Sequence, residues 1–181
     1  NEALRKVSGV TVRDEEGLGL RPNIGIRGLN PTRSSKVLLL EDGVPLSLAP
    51  YGDNAAYYHP PVGRMESIEV LKGPGQILYG PHTVGGVINY ITPGLPARPS
   101  TSMRLAGGSN EFGSAYVRVA AVQGDGGAVV DVGRFRSLGA RENVSSDVSD
   151  ATAKFFLPLS PTQRLVAKAN VFREGSRVTY S

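Results

Sequence analysis

Glycine and proline interrupt this chain so often that long helices do not fit between them: 23 of its 181 residues are Gly and 13 are Pro. Punctuation at that density suits many short strands joined by turns. Hydrophobic residues make up 40% of the chain, enough for one or two domains with real cores. No run approaches the length of apolar sequence that a transmembrane helix needs. Membrane strands are not excluded, because a β-barrel alternates lipid-facing and lumen-facing residues and leaves a weaker trace. The chain has no Cys, which excludes disulfides and thiolate metal sites and leaves the redox compartment open. No signal peptide is visible at Asn1, so an exported protein would carry this as a mature or trimmed chain.

Charge divides the chain. Residues 1–97 carry nine Lys/Arg and nine Asp/Glu, whereas residues 98–181 carry eleven and seven, so the net +4 belongs to the second part. The break falls at "TPGLPARPS", Thr92 to Ser100, whose three prolines make a stiff, extended connector. Two domains are therefore expected, 1–97 and 98–181. Without Lys/Arg clusters interleaved with aromatics, the basic balance does not point to nucleic acid.

The second part reads as a strand meander. Thr101, Met103 and Leu105 alternate with Ser102, Arg104 and Ala106, and Ala115, Val117, Val119 and Ala121 alternate with Tyr116 and Arg118. The same period recurs at Ala151, Ala153, Phe155 and Leu157, against Thr152 and Lys154. It returns at Leu165, Ala167, Ala169 and Val171, against Lys168 and Asn170. Each run has one apolar and one mixed face. Only "AVVDVGRFR", Ala128 to Arg136, has no clean phase. The connections alternate in kind, "GDGG" and "LSPTQ" being tight and "SLGARENVSSDVS" long and polar, as in outer-membrane barrels. Alternation alone equally fits a soluble antiparallel sheet with one face on a core.

The first part holds the β-rich runs Val7 to Val12, Asn23 to Gly28, Lys36 to Leu46, Met65 to Gly73 and Gly85 to Thr92, with "PGQILYGP" leaving room for a helical turn or two. "IRGL", "LEDGVPL", "IEVLKGP", "LYGP" and "GGVINYIT" occur in the order and approximate spacing of the plug domain of TonB-dependent outer-membrane transporters. The chain resembles that family over residues 4 to 93. "GIRGLNP", "APYG" and "YGPHTVGG" are similar to its ferric-citrate-type branch. The resemblance implies an α+β plug with a mixed β-sheet, wedged in a barrel of about 22 strands. Residues 98–181 would then be about five antiparallel strands of an incomplete transmembrane β-barrel. It further implies the outer membrane of a Gram-negative bacterium, contact with outer-membrane lipid, and uptake of a ferric chelate such as ferric citrate or another siderophore. The TonB energy-transducing complex would be the partner, and no cofactor is implied beyond the transported chelate.

Glycine permits close backbone approach and positive φ. Gly85 and Gly86 are thus expected to form a tight corner that lets the plug approach the barrel wall, with Val87 to Ile91 as a buried strand. Pro81, His82 and Thr83 would form an apex facing the ligand vestibule. "GLNPTRSS" offers Thr32, Arg33, Ser34 and Ser35, hydroxyl and guanidinium donors suited to a carboxylate-rich chelate. "APYGDNAAYYH" offers Tyr51, Asn54, Tyr57, Tyr58 and His59, with Asp53 opposing an anionic ligand. Each stretch read singly also fits a solvated loop. In the family, cations in the "IRG" and "LKGP" motifs pair with barrel glutamates, which implies that role for Arg27 and Lys72. Local pairing with Glu41, Glu66 or Glu69 is the alternative. Lys72 stands where Arg is commoner, losing bidentate geometry.

No enzyme is expected: G-x-S-x-G, G-K-[ST] and H-E-x-x-H are all missing. The two histidines, His59 and His82, lack metal-ligand spacing. The rival reading is a soluble, extracellular β-rich ligand-binding module whose second part is a sandwich. Five strands cannot close a barrel of the family's size, and no TonB box precedes the plug runs, so a fragment of a longer transporter is expected.

Overall fold

The computed structural model describes residues 2–14, 20–46, 58–73, 79, 83–139 and 144–177. The chain forms two compact units, Asn1–Thr92 and Pro93–Ser181.

The first unit opens with a single helical turn, α1 (Glu2–Arg5), and continues through β1 (Val10–Asp14), β2 (Pro22–Ile26), β3 (Val37–Glu41), β4 (Val44–Pro45), β5 (Ser67–Lys72) and β6 (Gly86–Ile91). The last four make one sheet in the order β4-β3-β6-β5. Its centre is the parallel pair β3 and β6, and β4 and β5 add antiparallel edges, so the sheet is mixed. Central strands covered on both faces read as continuous apolar runs, and every residue of β3, "VLLLE", is buried. One face packs Val37, Leu39, Ile88 and Tyr90 against Leu4 of α1 and Ile24 and Ile26 of β2. The other buries Leu38, Leu40 and Val87. β3 turns into β4 through Asp42 and Gly43, both left-handed at φ 50° and 81°. This is the backbone that "DG" favours in a two-residue hairpin, because a primed turn matches strand twist.

One sequence expectation changes here, and the glycine corner gains a local reason. The runs at Val7 to Val12 and Asn23 to Gly28 do not enter the mixed sheet but pair with each other as a separate two-stranded sheet. They still contribute Ile24 and Ile26 to the shared core, so burial placed them correctly while alternation could not assign their partners. The "GG" corner approaches neighbouring plug backbone. A Cβ on Gly86, at φ +150°, would lie 2.3 Å from the Leu71 carbonyl oxygen, and one on Gly85 would lie 2.9 Å from that of Lys36.

The second unit is one antiparallel meander: β7 (Ser100–Gly107), β8 (Gly113–Gln123), β9 (Gly126–Ser137), β10 (Ser145–Ser160) and β11 (Gln163–Arg177). At one end the connections are two residues long, 124–125 and 161–162, and at the other they are 108–112 and 138–144. "SSDVS" belongs to β10 rather than to the long loop expected there. Polarity suggested a loop, yet Ser146 and Asp150 are buried and alternate with less buried neighbours. A barrel strand can carry such groups on its inner face.

The register resolves the phase of every strand. One face carries Met103 and Leu105, Val117 and Val119, Val130 and Val132, Ala151 to Leu157 in alternation, and Leu165 to Val171 in alternation. Met103, Val117, Val132, Ala151 and Val171 line up as one row across all five strands. The larger of these side chains are exposed, Val132 at 52%, Phe155 at 45% and Val171 at 71%. The opposite face is mixed and partly buried, with polar groups beside a buried apolar cluster of Ala120, Val129 and Phe156. Arg118 Nε donates to Asp131 Oδ1 at 2.6 Å, and Asn170 Nδ2 donates to Asp150 and Thr152 at 2.8 and 2.7 Å. "AVVDVGRFR" therefore has a phase after all: Val130 and Val132 face out, Val129 and Asp131 face in. Valine on both faces and an inward aspartate hid it.

Candidate functional site

The Thr32–Ser34 segment is a single 3₁₀ turn between β2 and β3. Arg33 and Ser34 both take left-handed backbone, at φ 53° and 49°. For residues with a Cβ this stores strain, of order 1–3 kcal/mol each, and needs over-determination by the surroundings. Ser34 supplies it. Fully buried, its hydroxyl receives the Ile24 N–H at 2.9 Å and donates to the Pro22 carbonyl at 3.3 Å. Asn23 Oδ1 takes the Arg33 N–H at 2.7 Å, and Asn30 Oδ1 takes both the N–H and the hydroxyl of Thr32. Gly25 lets the turn close, since a Cβ there would sit 2.4 Å from the Leu29 carbonyl oxygen. The outcome is a fixed apex on which the side chains of Thr32, Arg33 and Ser35 are exposed. Among the described residues no carboxylate pairs with Arg33.

Tyr58 and His59 turn inward. The Arg64 guanidinium, 1% exposed, makes a two-pronged bond to Glu41 at the end of β3, Nη1 to Oε1 and Nη2 to Oε2, both 2.7 Å. Its Nη2 also donates to the Tyr58 hydroxyl at 2.8 Å. Beside this cluster His59 Nε2 lies 2.7 Å from the Tyr90 hydroxyl, with the rings edge to face. Burial holds the His59 pKa down to about 3 and raises that of Tyr90. His59 is thus a neutral ring in the sheet's core. Sequence reasoning saw Glu41 as an acceptor but missed Arg64, which follows "PPVG" in what reads as a solvated loop. The available signal was a glutamate closing an otherwise wholly apolar strand.

Arg27 and Lys72 are both exposed. Arg27 occupies the tight turn with Gly28, at φ 56° and 77°, and its Nη1 lies 3.4 Å from where a Cβ on Gly73 would stand. The two motif cations thus sit together at one edge of the plug. Of the local alternatives, Glu41 is engaged by Arg64 and Glu69 by Asn89. Among the described residues neither cation has a carboxylate partner. Thr83, expected at the exposed apex, is fully buried, two residues before the closely packed Gly85–Gly86 corner. Tyr51, Asp53, Asn54, Tyr57, Pro81 and His82 lie outside the described residues, as does most of "PGQILYGP". Among the described residues no group of three or more His, Asp or Glu could hold a metal ion.

A mixed sheet with this apex, joined to an antiparallel meander with an apolar outer face, can be compared with known proteins. Residues 1–87 match the TonB-dependent Receptor Plug Domain family. That match covers nearly all of the first unit. The chain is 35% identical over 134 residues to the vitamin B12 transporter BtuB of Vibrio vulnificus, an alignment covering 74% of this chain and 21% of that protein. Its fold matches the siderophore receptor PirA of Acinetobacter baumannii at a TM-score of 0.72, with 21% identity over 97% of this chain and 29% of PirA. It likewise matches the ferripyoverdine receptor of the Pseudomonas aeruginosa outer membrane, with a TM-score of 0.78 and 20% identity over 93% of this chain and 22% of that one. The chain spans about a fifth to a third of the lengths of these relatives. The plug is homologous to those of TonB-dependent outer-membrane receptors, which assigns the chain to the outer membrane. In fold, the meander matches part of their barrels.

Proposed function

We propose that the intact protein is a TonB-dependent transporter that takes up a ferric chelate, with the plug gating the barrel. One observation carries this reading: a plug sheet and a meander with a continuous apolar outer face occur in one chain. A soluble sandwich would bury Met103, Val117, Phe155 and Leu165, and all four are exposed. Along β10 the outer face is apolar from Ala151 to Leu159, nine residues, about the 9–11 that a tilted strand needs to span a bilayer.

The cargo reading rests on the apex. Arg33 offers a planar fork of donors to carboxylate or phosphate oxygens, flanked by the hydroxyls of Thr32 and Ser35. Tyr57 and His82 join them on family position, His82 as a donor that strengthens on protonation. Tyr58 and Ser34 contribute indirectly, by holding Arg64 and the apex backbone. The vitamin and siderophore cargoes named for the relatives support a bulky metal chelate, and the exposed cation favours an anionic one such as ferric citrate. Arg27 and Lys72 would hold the plug to barrel carboxylates.

The test is a titration of the full-length receptor with ferric citrate, carboxylate-type and catecholate-type ferric siderophores, and cobalamin. Arg33→Ala should weaken binding of the cognate anionic chelate roughly ten-fold or more, the loss of one charge-assisted hydrogen bond. Equal affinity in wild type and Arg33→Ala would remove the apex assignment, and selective binding of neutral cobalamin would remove the ferric-chelate reading.

A further inference from the structure

Charge on the outer face of the meander is confined to one end. Among the described residues, the strands place Arg134 and Arg136 of β9, Asp147 of β10, and Arg173 and Arg177 of β11 on that face, and no other charged side chain. Arg134 and Arg173 flank Ser149 in the row next to the apolar band. Arg136 and Asp147 follow in the next row, and Arg177 lies opposite Ser145 in the one beyond. Asp147 is taken by Arg134, with Nη2 to Oδ2 at 2.8 Å, and Glu111 lies 3.7 Å from Arg136. Arg173 and Arg177 are exposed and have no carboxylate partner among the described residues. Four guanidinium groups against one strand carboxylate leave the patch strongly cationic.

Its position identifies the ligand. The patch adjoins the apolar band on the same face, so what touches it also touches acyl chains. It lies at the end with the longer connections, 108–112 and 138–144, and in outer-membrane barrels those are extracellular. Guanidinium forks bind phosphate oxygens in a bidentate manner, and cations at a membrane surface attract anionic headgroups. We propose that Arg134, Arg136, Arg173 and Arg177 form a docking site for the phosphate-bearing headgroup of an outer-leaflet lipid. The proposal rests on the meander being the lipid-facing wall of a barrel, as inferred above. Arg173 and Arg177 supply the open cations, while Arg134, braced by Asp147, sets the row's position.

The test uses the full-length receptor in phosphatidylcholine nanodiscs, titrated with a fluorescent diphosphorylated glucosamine lipid and with its dephosphorylated form. Wild type should bind the phosphorylated lipid saturably and prefer it. Arg173→Gln with Arg177→Gln should lose roughly ten- to thirty-fold in affinity, at about five-fold per membrane-surface cation. Arg164→Gln, a charge removed at the opposite end of β11, should change little. Equal binding of the two lipids, or an equal loss in Arg164→Gln, overturns the site. Full displacement by inorganic phosphate at the same concentration as the lipid also overturns it, since the site would then take the free anion. A receptor that inserts and transports but fails these tests loses only the lipid site, whereas one that does not enter bilayers loses the barrel reading with it.

Discussion

His59 shows how a residue type that suggests ligand chemistry can be given a packing role by its surroundings. Burial drives its pKa down to about 3 from an ordinary 6.5, so the folded ring stays neutral where an unfolded one would charge. Between about pH 6.5 and 3 the unfolded state binds the extra proton, so this group's contribution to stability is complete above that window and declines as pH falls through it. His59→Phe should lower stability at neutral pH by stranding the Tyr90 hydroxyl, yet flatten the acid slope across the window. Amide exchange of β6 in the full-length protein at several pH values separates the two effects. The buried pair nearby gives a second expectation. Arg64→Ala leaves the Glu41 carboxylate buried without its fork, which costs about 3–5 kcal/mol. Replacing both by Met and Leu should cost much less than the single change, because no charge is then stranded. Urea unfolding of the three variants would show whether the double mutant recovers stability. Neither role was legible from the residue types: His59 and Arg64 flank Pro60 and Pro61 in a stretch that reads as a loop, and only the tertiary fold carries them under the sheet.

At the level of elements, legibility followed pattern strength. The β3 and β6 strands were readable because one apolar run ends at "DG" and the other starts at "GG", signals with a known backbone meaning, and β5 because it stops at "GPG". The meander strands were readable from alternation, except β9, where Val129 and Val130 face opposite ways. The beginning of β10 was misread because polar residues inside a barrel look like loop residues. Gly86 is expected to be intolerant of any side chain. Gly86→Ala drives a Cβ to within 2.3 Å of the Leu71 carbonyl oxygen, so β5 and β6 must separate, at a cost of about 1–3 kcal/mol or more. Exchange of the Leu71 and Val87 amides would report it. On the outer face of β10, Phe155→Arg places a cation near the middle of the apolar band. In the intact barrel this should cost roughly 2–4 kcal/mol, measured as folding into phosphatidylcholine vesicles against urea. Folding as efficient as wild type would show that this face does not meet lipid.

For the whole molecule, the plug's architecture determines what transport requires. Its strand β3 is buried throughout, the clamp between Arg64 and Glu41 closes one end of β3, and Asp42 ties the adjacent hairpin to Thr92 through the Thr92 N–H at 2.8 Å. In the transporter proposed above, a plug held in this way would block passage of a bound chelate, so uptake would need it to rearrange or leave. Cargo binding at the exposed apex around Arg33 involves none of those buried bonds directly. Binding and translocation should therefore be separable. In that reading chelate binding alone would stabilise the closed state by mass action rather than open it. The work must then reach the plug from a partner, for which the TonB complex is the expected source. In cells lacking TonB, the full-length receptor should bind its ferric chelate with unchanged affinity while accumulation inside the cell falls to background. Radiolabelled iron uptake measured beside surface binding distinguishes the outcomes. Uptake that persists without TonB would mean that the buried clamp opens on binding energy alone, and the gating mechanism would have to be abandoned.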